Sequence, residues 1–216
     1  MNTSEPPADD PGRARPRPAE PGTPEHPLRL TDPRMMRALA HPARIAILQH
    51  LGLDGPSTAT ECAAVVGLSP SACSYHLRAL ARYGFVDEDP ASAADGRQRP
   101  WRARVISMTF DEGEPDQPDA VRAAGQLLTA TMLARFEEMR EQYLDRASRY
   151  TAQWRHIAGW HQDVVHVTAA EAVAVREQVQ ALLAGYRRLD PAQRPPGAHR
   201  VHALLDLVPW FDPDEL

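Results

Sequence analysis

The sequence predicts a mainly α-helical chain with a β-hairpin in its first half and a small sheet component in its second. Three observations carry that expectation. Helix-start signals recur at Asp32-Pro33, His41-Pro42, Ser69-Pro70 and two Thr-x-x-Glu boxes, Thr58–Glu61 and Thr168–Glu171. Apolar residues then repeat at helical spacing behind each of them. The β-prone segments FVDED and PWRARVISMTF flank PASAADGRQR, whose Asp95-Gly96 is a turn signal.

Each element follows in order. Residues 1–30 are proline-rich and charged, with almost no large apolar side chain before Leu28, so a disordered tail is expected. Arg13, Arg15 and Arg17 within it are expected to be solvated, with contact to DNA phosphates as the alternative. A short helix is expected from Pro33 to about Ala40. A second starts at Pro42 and carries Ile45, Leu48 and Leu51 inward, with Gly52 marking its exit. His41 reads as a cap and His50 as an exposed surface residue.

Thr58 and Glu61 open the short helix ECAAVV, which Gly67 ends; Ser69-Pro70 caps the next, PSACSYHLRALARYG. Two short helices joined by a tight glycine turn make a helix-turn-helix. Its close crossing requires a small residue before the turn, and Ala63 stands four positions before Gly67. The facing positions are then Cys62, Val66, Leu68, Cys73 and His76. Both thiols thus fall where valine or leucine would pack, and a free cysteine behaves as a small hydrophobe. Cys-x10-Cys-x2-His matches no zinc spacing. The alternative, a metal- or redox-responsive use of Cys62 and Cys73, stays open at this point.

With Cys73, Leu77 and Leu80 inward, the opposite face presents Ser71, Ser74, Tyr75 and Arg78, with Ser69 at the N-terminus and His76 at the edge. Serines at a helix N-terminus suit phosphates, and arginine suits guanine edges. The hairpin adds Arg97, Arg99, Arg102 and Arg104, with Arg97 and Arg99 near its tip and Arg102 and Arg104 opposite Trp101. A cationic hairpin beside such a helix is a wing able to reach phosphates or the minor groove. The candidate DNA-binding set is therefore Ser69, Ser71, Ser74, Tyr75, His76, Arg78, Arg97, Arg99 and Arg102. The whole chain has net charge −5, so any nucleic-acid surface must be local. Residues 30–110 hold nine arginines and seven acids, a net of +2. All 24 basic residues are arginine.

These residues carry a family likeness. LAHPARIAILQHL, ATECAAVVGLSPSACSYHLRALARYGFV and DGRQRPWRA resemble winged helix-turn-helix repressors of the arsenical-resistance (ArsR) type, over about residues 30–108. The resemblance implies a cytoplasmic, homodimeric transcriptional regulator that binds double-stranded DNA, with helix 70–83 in the major groove and a palindromic operator. Relatives that sense metals use a Cys-x-Cys motif, where this chain has Glu61-Cys62-Ala63-Ala64. Asp163 and His166 likewise depart from a second ligand spacing, so neither a metal nor a cofactor is expected.

Residues 31–110 are then the winged domain, 111–119 a linker and 120–216 a second, mostly helical unit resembling the extension of longer members. Its apolar face runs Leu128, Met132, Phe136, Met139, Tyr143, Tyr150, Trp154, Ile157, longer than an ordinary helix, so broken or packed on a partner chain. DVVHV and HRVHALLDLV read as short strands around a helix from Thr168 to about Leu189, with Val175, Val179, Leu182 and Tyr186 on one face. This unit is the expected dimerisation surface. Trp154, Trp160, Trp210 and Phe211 pack its core or interface, or line a small-molecule effector pocket. His156, His161, His166, His199 and His202 form no convincing metal set. No Gly-x-Ser-x-Gly, phosphate loop or His-Glu-x-x-His occurs, so an enzyme is not expected. A winged module that binds another protein is the competing non-enzymatic reading. No membrane-spanning run is present.

Overall fold

The computed structural model describes residues 27–89, 99–110, 116–159, 161–187, 191–212 and 214. The expected tail falls almost wholly outside them, as do Arg97 and the Asp95-Gly96 turn. The first described element is a short strand, β1 (Leu28–Arg29). Then come α1 (Pro33–Leu39), α2 (Pro42–Asp54), α3 (Ala59–Val66) and α4 (Pro70–Arg82). Strands β2 (Val86–Glu88), β3 (Trp101–Ala103) and β4 (Met108–Thr109) precede α5 (Asp119–Arg146), α6 (Ala152–Arg155) and α7 (Ala169–Ala184).

Each expected helix start is built as the side chains dictate. The Asp32 carboxylate accepts from the Arg34 amide at 2.8 Å, and Pro33 occupies the first turn of α1. His41 caps α2 through Nδ1, which accepts from the Ala43 amide at 3.2 Å. Thr58 and Glu61 bond reciprocally, at 3.2 Å and 2.7 Å, to open α3. Ser69 Oγ accepts from the Ala72 amide at 3.2 Å, with Pro70 first in α4.

One core binds these elements. Met36 and Leu39 of α1 meet Ile45, Ile47, Leu48 and Leu51 of α2, Cys62 and Ala63 of α3, and Cys73, Leu77 and Leu80 of α4. Leu30, which falls within the expected tail, and Phe85, Val86, Val105, Ala124 and Leu128 complete it. Gly52 does not end α2 as expected but lies inside it. A Cβ there would meet Ile106 Cγ2 at 3.0 Å, so the position needs close approach rather than a turn. His50 is likewise not an exposed surface residue. Its ring bonds Asp54 at 2.7 Å and Ser57 Oγ at 3.1 Å, tying the end of α2 to the next loop.

The hairpin is real but shorter than expected. β2 and β3 pair antiparallel, with Asp87 opposite Arg102 and Glu88 opposite Trp101. The chain then leaves that ladder, and Met108–Thr109 pairs in parallel with Leu28–Arg29 instead. A two-residue parallel strand has no periodicity of its own, so the sequence could not announce it.

The second unit meets one expectation, a long helix that is broken, and departs from three others. The long helix breaks after Arg146 into a 3-10 turn and α6, and its buried residues Ala124, Gly125 and Leu128 face α1 and α2 of the same chain. It also starts at Asp119, inside the expected linker. DVVHV and HRVHALLDLV form no strand among the described residues. Neither finds a partner edge there, and a strand without one leaves its backbone unpaired. The Thr168–Glu171 box does open α7, which ends at Ala184 rather than about Leu189.

The α3–α4 turn depends on Gly67, which adopts φ +69° with open space where a Cβ would be. The Leu68 amide donates to the Ala63 carbonyl across it at 3.0 Å. Replacing Gly67 by alanine therefore adds left-handed backbone strain without a clash. We expect a stability loss of about 1 kcal/mol by urea unfolding, and a smaller loss for Gly67→Asn.

Candidate nucleic-acid interface

The α3–α4 crossing settles which side chains face inward. Cys62, Cys73 and Leu77 have no solvent exposure, and Ala63 supplies the small contact that the crossing requires. Burial pushes the Cys62 thiol up to about 12, with the neighbouring Cys73 adding to it, and burial raises Cys73 as well. Such thiols are protonated at neutral pH and are poor nucleophiles and poor ligands. Among the described residues, no group of three or more His, Cys, Asp or Glu is placed to hold a metal.

His76 sits with the inward set. It is 9% exposed and packs against the His41 ring, with centroids 4.6 Å apart, and its Nδ1 has no partner. Desolvation, and then the charges near His41 and Arg44, hold its pKa below the ordinary histidine value, so the ring is favoured neutral. It belongs to the α2–α4 contact rather than to the exposed face on which the other α4 candidates lie.

Those others divide. Ser69 and Ser71 are exposed, and their hydroxyls lie 3.1 Å apart at the N-terminus of α4. Ser74 is half-buried and spends its hydroxyl on the Pro70 carbonyl, 2.8 Å away. That back-bond leaves oxygen lone pairs but commits the proton. Tyr75 is 60% exposed and Arg78 is exposed, one turn apart. Among the described residues nothing forms an ion pair with Arg78.

The wing behaves differently from the expectation of a free cationic tip. Arg99 pairs with Glu88 at 3.1 Å, and Arg102 pairs with Asp87 through two bonds of 2.8 and 3.3 Å. Arg104 reaches the same carboxylate at 3.7 Å. The hydrogen bond from Arg102 is the main reason the Asp87 carboxyl lies below its usual range. The strand alternation itself is as expected. Arg102 and Arg104 are exposed, while Trp101 packs against the core and exchanges backbone bonds with Ser57 at 2.8 and 2.9 Å.

A second basic surface was not anticipated. Arg34, Arg37, Arg44, Tyr75, Arg78, Arg82 and Tyr83 line an open basin between α1, the start of α2 and α4. These five arginines are all those of residues 31–110 that lie outside the hairpin. The signal that could have found them is helical spacing. Residues 71, 75, 78 and 82 share one face of α4, and 34 and 37 share one of α1.

The remaining aromatics do not gather into a pocket among the described residues. Trp154 is half-buried against His199 at 5.2 Å, and Trp210 is 82% exposed. Trp160 lies outside the described residues.

Comparison with known proteins agrees with this architecture where it is most regular. A helix-turn-helix domain family model matches residues 39–89, from the end of α1 through β2. No curated protein matches. Solved structures of Lactococcus lactis ZitR are similar at low identity. The wild type in complex with DNA is 16% identical, over 68% of this chain and 75% of that one, with a TM-score of 0.28. A double mutant in apo form is 18% identical, over 68% and 84%, with a TM-score of 0.29. Superpositions that loose carry no argument about this chain.

The buried thiols give a direct check. In the native protein at about pH 8, a thiol-reactive dye should label Cys62 and Cys73 no faster than the chain unfolds, and both should label at once in denaturant. Rapid native labelling would revive a redox role.

Proposed function

We propose that the chain is a sequence-specific, double-stranded-DNA-binding transcriptional regulator, a repressor, whose α4 enters the major groove. The observation that carries this reading is the α4 face itself. A helix held rigidly by a buried crossing presents Ser69, Ser71, Tyr75 and Arg78 outward, and Arg78 has no protein partner among the described residues. An unspent arginine fork on such a face suits the O6 and N7 acceptors of guanine. Ser69 and Ser71 stand where a phosphate would meet the helix N-terminus.

The wing plays a supporting part. Its arginines are exposed ion pairs, and pairs of that kind contribute little to stability, so phosphates can exchange for Asp87 and Glu88 at small cost. Arg97, at the expected tip, and Arg99 and Arg102 are assigned to backbone contacts.

Selection of bound genomic fragments would supply the operator. On that sequence Arg78→Ala should weaken binding by about 1–3 kcal/mol, and far less on random duplex, measured by fluorescence anisotropy at fixed salt. Equal losses on both would remove Arg78 from base readout.

A palindromic operator requires two reading helices about 34 Å apart, and hence a dimer. We assign that role to the unit beyond Asp119. Leu127, Leu133 and Leu144 of α5, Val175 and Leu182 of α7, and Tyr186 just beyond α7 are large apolar side chains left to solvent in the single chain. Large apolar side chains left exposed in this number suit an association surface. The full chain should sediment as a homodimer, and Leu182→Glu should shift it toward monomer. The same change should weaken binding to a two-half-site duplex more than to a single half-site.

A further inference from the structure

We propose that the basin between α1, the start of α2 and α4 is a phosphodiester clamp, seating the DNA backbone that flanks the groove read by α4. The inference rests on the proposed DNA-binding reading and deepens it. It moves the main backbone contact away from the hairpin, where sequence alone placed it.

The charge balance of the two surfaces is the first argument. In the hairpin, Asp87 and Glu88 face Arg99, Arg102 and Arg104. The basin has five arginines and two tyrosines in its lining and no acid. Among the described residues, Arg34 alone of these five has a carboxylate partner, Asp32 at the basin's edge. Arg37 and Arg44 use one nitrogen each on the carbonyls of Ala120 and Ala38, which orients the guanidinium without neutralising it. Arg44 Nε is buried and has no partner. Arginines gathered around a concavity raise a local positive potential there that attracts an anion.

Geometry is the second argument. Tyr75, Arg78 and Arg82 belong both to the basin and to the exposed stripe of α4. Any duplex lying along that stripe therefore brings a strand of phosphates over Arg34 and Arg37. Arginine forks and tyrosine hydroxyls are donors of the type that position a backbone without reading it. A repeating phosphodiester also matches several separated forks better than a single small anion does. Continuity with the α4 face favours DNA over an acidic protein segment as the occupant.

The test uses full-length protein and a random-sequence duplex of about 30 base pairs, so that only backbone contacts count. Affinity is followed from about 0.05 to 0.2 M KCl for wild type, Arg34→Gln with Arg82→Gln, each single variant, and Arg176→Gln on the exposed face of α7 as the distant control. Arg78 is left intact because it also serves the base-reading role. The double variant should bind roughly ten-fold or more weaker at about 0.1 M salt, with the log–log slope shallower by about two and by about one in each single variant. The control should leave both unchanged. Wild-type affinity and slope in the variants would overturn the clamp and leave the α4 reading standing. Failure of wild type to bind any duplex would overturn both. Polyglutamate binding lost in the double variant, with duplex binding intact, would assign the basin to an acidic protein and overturn the clamp. Should the double variant misfold by circular dichroism, the slopes of the single variants decide.

Discussion

The close crossing of α3 on α4 is the constraint on which the rest of the structure depends. It needs a left-handed residue between the helices, a small side chain beneath, and apolar groups of modest size where the helices face each other. Gly67, Ala63, Cys62 and Cys73 meet those demands, and Leu77 and Leu80 extend the contact into the common core. Burying one face of α4 fixes which residues the other face can show. Any use of Ser71, Tyr75 or Arg78 is a consequence of Cys73 and Leu77 being inside. The thiols are therefore structural first: with their pKa values raised by burial, they contribute packing rather than reactivity.

Much of this was legible in the sequence because it is local chemistry. A capping box, a proline in the first turn or a glycine four residues after an alanine acts over one helical turn, and residues 32–82 fold as those signals dictate. What the sequence did not disclose depends on partners distant in the chain. The parallel pairing of Leu28–Arg29 with Met108–Thr109 joins segments some eighty residues apart, with no pattern in either. His50 looks like a surface residue until Asp54 and Ser57 are seen around its ring. DVVHV and HRVHALLDLV have strand composition, but composition cannot supply the edge that a strand must pair with.

The candidate site shows the same division. Tyr75 and Arg78 were readable from the inward positions of their neighbours, because helical phase is fixed once one face is known. His76 was harder, since a histidine at the border of two faces can turn either way, and the His41 ring decides it. The basin escaped notice for a different reason. Four arginines within eight residues of a hairpin are conspicuous in sequence, whereas Arg34, Arg37, Arg44, Arg78 and Arg82 are scattered over nearly fifty. Only the packing of α1 and α2 against α4 gathers them. Arg99, Arg102 and Arg104 of the hairpin meet Glu88 and Asp87, and that pairing follows from a register the sequence does not state.

This separation of charge has a consequence for specificity under the proposed reading. A chain of net charge −5 gains little from long-range attraction to DNA, so its affinity must come from short contacts. Arg99, Arg102 and Arg104 already meet carboxylates, so a phosphate contact at any of them exchanges one weak ion pair for another and adds little to affinity. Among the described residues, Arg37, Arg44, Arg78 and Arg82 form no ion pair with a carboxylate, and they line the basin beside the α4 stripe. The two surfaces together favour a duplex docked in one orientation over one that merely brushes the protein. Discrimination between sequences then rests on α4, and the depth to which it enters the groove is set by how the basin receives the strand alongside.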